Sequence, residues 1–230
     1  MASVRAGFPL ERVPKDRNDR NDRRKLLPDR HNLATLSYME DSVLNAQPAV
    51  FTHAQVTAAG VSDRTLYAWR DSGAVLVLAR GIFTRPDFSG YPDLTEIAMR
   101  APEATLCLAS ALAHHDLTDE IPSRIDVAVP RSQRPPRTTA TTTWHRFDDA
   151  TFRIGRTELA VADGITIGLY TAERAIVDVF RLRHLYGDDQ AIGALRRYLR
   201  RTNQPSELLA MARHFPSAAP ALRRAMEILL

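Results

Sequence analysis

The stretch from Phe51 to Pro86 constrains the fold most, because its breakpoints are set by residue type as well as by hydrophobicity. Thr52 precedes His53, and its hydroxyl can accept from the free amides of a helix's first turn. Gly60 can take the left-handed conformation that stops a short helix over 53–59. After Val61, Ser62 is a second cap, Asp63 suits the positive end of the dipole, and Gly73 closes a helix over 63–72. At helical spacing Leu66 and Trp69 share one face with Gly73, whereas Arg64, Tyr67, Ala68 and Asp71 fall on the other. Two apolar, β-branched runs follow, Val75–Leu78 and Ile82–Thr84, separated by the compact turn Ala79-Arg80-Gly81. Ahead of all this, Leu33, Leu36, Met39 or Tyr38, Val43 and Leu44 recur with helical period.

Two helices joined by a short glycine-containing turn and followed by a hairpin predict a winged helix-turn-helix over 32–88, a unit suited to duplex DNA. Arg64 and Tyr67 stand where a recognition helix presents side chains to base edges. Ser62 and Thr65 can donate to phosphates, Arg70 can reach one by extension, and Arg80 and Arg85 belong to the expected wing. Net charge does not carry this expectation. The formal +4 is concentrated in residues 1–31, with nine Lys or Arg against five Asp or Glu, and the remaining chain holds 22 of each. That charged, apolar-poor tail is expected to be disordered. The segment 51–86 is itself only mildly basic, with four Arg and two Asp.

From residue 89 onward the pattern predicts an α+β domain. Helices are expected over 94–100 and 106–115, strands over 124–129, 143–147, 158–161 and 165–169, and a loop over 130–137. A mostly helical end follows, with helices over 172–186, 188–201, 205–214 and 218–230. Cys107 is the single cysteine and lies in an apolar run, which excludes an internal disulfide and predicts a buried thiol. No apolar stretch reaches the length of a membrane span, and the charged N-terminus does not resemble a secretory signal, so a cytoplasmic protein is expected.

Chemistry-bearing patterns are sparse. His114-His115-Asp116 ends a helix, and neighbouring helical residues point about 100° apart, which suits capping and packing better than metal binding. Glu173 and Asp178 lie five residues apart on one helix and do not converge on one substrate atom. Arg174, Arg181 and Arg183, with Arg196, Arg197, Arg200 and Arg201, read as a solvated basic face, with an acidic or nucleic-acid partner as the alternative. No catalytic residue, metal ligand or cofactor is expected.

Three stretches bear a family likeness: residues 60–84 (GVSDRTLYAWRDSGAVLVLARGIFT), 109–130 (ASALAHHDLTDEIPSRIDVAVP) and 170–183 (YTAERAIVDVFRLR). In this order and spacing they resemble the AbiEi family, the antitoxins of type IV abortive-infection toxin–antitoxin systems. The resemblance implies an N-terminal winged helix that represses its own operon at inverted repeats in promoter DNA. It also implies a C-terminal antitoxin domain that counters a nucleotidyltransferase-like toxin, without requiring a stable complex between the two. The family's DNA-contacting positions correspond to Ser62, Arg64, Thr65, Tyr67, Arg80 and Arg85. The long charged tail departs from the pattern. Two other readings stay open: a stand-alone transcriptional regulator whose second domain senses a ligand or protein, and a C-terminal nuclease or other enzyme that acts on the bound DNA.

Overall fold

The computed structural model describes residues 42–202 and 204–229. The tail 1–31 and nearly all of the expected helix over 33–44 lie outside the described residues. Residues 45–230 form one compact unit of mixed α and β structure.

Its first elements are β1 (Val50–Thr52), α1 (His53–Ala58), α2 (Asp63–Ser72), β2 (Leu76–Ala79) and β3 (Ile82–Thr84). The caps behave as their chemistry requires. The Thr52 hydroxyl accepts from Gln55 N at 3.2 Å, and Gln55 Oε1 accepts from Thr52 N at 2.7 Å, a reciprocal capping box. Ser62 Oγ accepts from Thr65 N at 3.1 Å. Gly60 and Gly73 take φ of +85° and +79°, which residues with a Cβ rarely adopt. The three strands form an antiparallel sheet in the order β1-β3-β2, with Ala79 opposite Ile82 across a two-residue turn. Phe51, Val56, Leu66, Trp69 and Val75 are buried, and the Phe51 and Phe83 rings stack at 6.1 Å. Strand β1 was not expected. Three residues are too few to show a period, and β3 is what makes them a strand.

The chain continues through α3 (Pro92–Arg100), β4 (Thr105–Leu106), α4 (Leu108–His114), β5 (Ile125–Pro130), β6 (Thr142–Phe147), β7 (Arg156–Ala162) and β8 (Ile165–Tyr170). The helical end comprises α5 (Ala172–Arg181), α6 (Arg183–Tyr186), α7 (Asp188–Thr202), α8 (Pro205–Ala212) and α9 (Ala219–Leu229). A five-stranded sheet runs β6-β5-β4-β8-β7, with β5–β6 and β4–β8 parallel and the other pairs antiparallel.

Two expected helices are corrected. Residues 106–115 are not one helix: Leu106 closes the central strand β4, Cys107 is extended, and α4 begins only at Leu108, whose own φ is +47°. A strand buried on both faces carries a continuous apolar run, indistinguishable in period from a buried helix. The helix expected over 172–186 breaks at Leu182, whose φ and ψ of −108° and 23° divide α5 from α6.

The small sheet and the larger body are joined by direct packing. Val50, Ala79 and Ile82 cluster with Phe88, Met99, Ala162 and Ile165, and Tyr91 N donates to Val161 O at 2.9 Å.

Arg174, expected on a solvated basic face, is fully buried. Its Nε donates to Asp178 Oδ2 at 2.8 Å, and its Nη1 donates to the carbonyls of Thr151 and Ile154 at 2.8 and 2.7 Å. The Tyr170 and Phe215 rings flank its guanidinium at 4.3 and 4.2 Å. Arg181 donates to the other Asp178 oxygen at 2.9 Å. Burial pushes the Asp178 carboxyl upward, against the pull of both guanidiniums. Glu173 instead accepts from the Tyr198 hydroxyl at 2.8 Å, so the two carboxylates serve separate contacts. The remaining arginines are divided as well: Arg197 pairs with Asp119, Arg201 donates to His115 O at 2.6 Å, and Arg196 and Arg200 are exposed.

Candidate nucleic-acid interface

Helix α2 divides into two faces. Leu66 and Trp69 face the core at 1% and 6% exposure, while Arg64, Tyr67 and Ala68 are exposed. Arg64 has no hydrogen-bond or ion-pair partner among the described residues. Tyr67 stacks under the Arg70 guanidinium at 4.9 Å. Both Nε and Nη2 of Arg70 reach Asp71 Oδ1, at 2.9 and 2.7 Å, so this cation is already countered on its own helix. The Ser62 and Thr65 hydroxyls lie 3.0 Å apart at the helix start, where the dipole is positive.

The β2–β3 turn lies beside the start of α1. His53 N donates to Gly81 O at 3.0 Å, and the His53 ring approaches Asp63 Oδ1 at 2.9 Å. One residue thereby ties α1, the first turn of α2 and the β2–β3 turn together. The Arg80 side chain is exposed and has no partner among the described residues. Arg85 sits at the other end of β3 and is held inside the fold. Its Nε and Nη2 grip Asp87 at 3.0 and 2.9 Å, while Nη1 donates to the carbonyls of Asn45 and Gln47 at 3.2 and 3.3 Å. The structure therefore leaves Arg64 and Arg80 as the uncommitted cations of the segment and gives Arg85 a clamp across the chain entering β1.

Sequence reasoning missed several polar contacts in the body. Glu96 on α3 accepts from the backbone N–H groups of Thr139 and Ala140 and from Arg100 Nε at 2.8 Å. Burial would raise this carboxyl, but the Thr139 amide, the Arg100 guanidinium and the Ala140 amide outweigh it and hold Glu96 below its ordinary value. Asp126, His145 and Tyr186 form a second cluster. The His145 ring nitrogen Nε2 lies 2.8 Å from Asp126 Oδ1, and the Tyr186 hydroxyl donates to the same oxygen at 2.9 Å. Burial and the Asp126 charge raise the Tyr186 phenol. This cluster lines a cavity of about 500 Å³ with Arg124, Thr143 and Leu185. The available signal was Asp126 itself, a carboxylate in the apolar strand IDVAVP.

Another cavity of about 500 Å³, lined by Tyr91, Leu94, Leu106, Ser110, His114 and Leu159, is more apolar. His114 borders it, and burial and the neighbouring His115 lower its imidazole pKa against Asp116. His115 bonds the Tyr170 carbonyl at 2.7 Å, a packing role at the end of α4. Cys107 is buried, and burial raises its thiol well above the ordinary range. Among the described residues no three His, Cys, Asp or Glu side chains converge as metal ligands, and no helix is long and apolar enough to cross a membrane.

No protein-family model and no curated protein sequence matches the chain.

Proposed function

We infer that residues 32–88 act as a winged helix-turn-helix on duplex DNA, and that the chain is an antitoxin and autorepressor of the type IV toxin–antitoxin class in the cytoplasm. One observation carries the DNA reading: α2 buries Leu66 and Trp69 while presenting Arg64 uncommitted, with the uncommitted Arg80 on the adjoining wing. In this reading α2 enters the major groove, Arg64 takes a guanine edge and Tyr67 packs beside it. Ser62, Thr65 and the start of α2 meet phosphate, and Arg80 meets the flanking backbone. Repression follows from occupancy of promoter DNA at inverted repeats. The antitoxin role rests on the resemblance of residues 60–84, 109–130 and 170–183 to the AbiEi family, and its functional counterpart is a nucleotidyltransferase-like toxin.

The test is binding of the full chain to the DNA upstream of its own gene, paired with co-expression beside an adjacent nucleotidyltransferase-like gene. Retarded promoter DNA and restored growth are expected. Promoter binding without any growth rescue would instead favour the stand-alone regulator, for which the largely apolar cavity beside α3 offers a place for a sensed ligand.

A further inference from the structure

The wing turn has both of its carbonyls held from outside the hairpin. Gly81 O accepts from His53 N at 3.0 Å, on the side of the reading helices. Arg80 O accepts from Arg100 Nη2 at 3.0 Å, on the side of the body. Arg100 is itself fixed: its Nε donates to Glu96 Oε1 at 2.8 Å, and Glu96, with its side chain 3% exposed, is gripped by the Thr139 and Ala140 amides. A continuous chain of charge-assisted hydrogen bonds therefore runs from the loop ahead of β6, through α3, to the peptide that carries the Arg80 side chain. The guanidinium's planar fork makes this possible, because one edge can serve Glu96 while another arm reaches the wing. A lysine ammonium is a point charge that cannot reproduce this two-sided geometry.

We propose that Arg100 is a positioning residue of the DNA interface, holding the wing turn so that Arg80 meets the phosphate backbone, with Glu96 as its anchor. The proposal rests on the winged-helix reading and goes beyond it. A residue outside the helix-turn-helix, with no DNA contact of its own, sets how many phosphates the protein neutralises. It also gives the loop at 139–140 a direct mechanical link to the wing.

The experiment measures affinity of the full chain for a short random-sequence duplex across a salt series, for wild type, Arg80→Ala, Arg100→Lys and the double variant. Arg80→Ala is expected to lower the log–log salt slope by about one unit. Arg100→Lys, which keeps an ion pair with Glu96, is expected to lower the slope similarly with little change in melting temperature. The double variant should then show no further loss. Arg100→Met, which keeps the aliphatic stem and removes both arms, should repeat the slope change if the lysine variant folds poorly. A purely structural role for Arg100 would lower the melting temperature and leave the slope alone. A normal slope in folded Arg100→Lys or Arg100→Met, beside a reduced slope in Arg80→Ala, overturns the positioning role while keeping the wing contact. A normal slope in Arg80→Ala removes the wing contact itself, and the positioning role with it.

Discussion

Arg174 and Arg64 are the same residue type in opposite situations, and the contrast separates the two halves of the molecule. In the body, Arg174 is fully buried, with Asp178, two carbonyls and two aromatic rings around it. On α2, Arg64 is exposed with no partner among the described residues. An interior guanidinium must be supplied with acceptors by the fold, because the cost of desolvating a charge is several kcal/mol. A surface guanidinium that lacks them remains available for an external anion. Arg70 and Arg85 occupy the middle ground, exposed or half-buried but already engaged with Asp71 and Asp87. The comparison therefore narrows a list of basic residues to those free to act.

The contrast can be broken most sharply from the interior. Arg174→Met leaves Asp178 buried with Arg181 as its remaining cation, and a loss of about 3–5 kcal/mol is expected in denaturant unfolding. Glu96 should show the next largest effect. Glu96→Gln cannot satisfy Arg100 and both backbone amides as the carboxylate does, so a loss of about 1–3 kcal/mol is expected. The same substitution should flatten the acid limb of stability. Because the folded carboxyl is lowered from 4.5, its contribution is complete above about that pH and drains away as pH falls through the folded value. Unfolding midpoints measured on either side of pH 4.5 should thus converge between the two proteins toward the acid side. Ser62→Ala removes the α2 cap and should cost about 1 kcal/mol, measurable as a small drop in melting temperature. Arg64→Ala and Arg80→Ala should change stability by less than about 0.5 kcal/mol, which would make any lost DNA binding attributable to lost contacts. A large destabilisation by either would show that its side chain serves the fold after all.

Legibility in the sequence followed the same division. The caps at Thr52 and Ser62, the stops at Gly60 and Gly73 and the two faces of α2 were readable because each depends on residues a few positions apart. Strand β1 and strand β4 were not, since pairing with β3 or with β5 and β8 is what defines them. The exposed positions of Arg64 and Arg80 followed from helical period and turn chemistry. The engagement of Arg85 with Asn45 and Gln47, and of Glu96 with Thr139 and Ala140, spans about forty residues and leaves no periodic trace. Arg174 illustrates the harder limit: an arginine in a charge-rich helix looks solvated until the rings of Tyr170 and Phe215 close around it.

Sequence selection from a random duplex pool tests the central claim most directly, using the full chain beside Arg64→Ala. Wild type should enrich a defined sequence, whereas Arg64→Ala should still bind duplex at low salt and lose that enrichment. Failure of the folded wild-type chain to bind duplex at low salt, or enrichment of the same sequence by Arg64→Ala, would contradict the assignment of α2 as the reading helix.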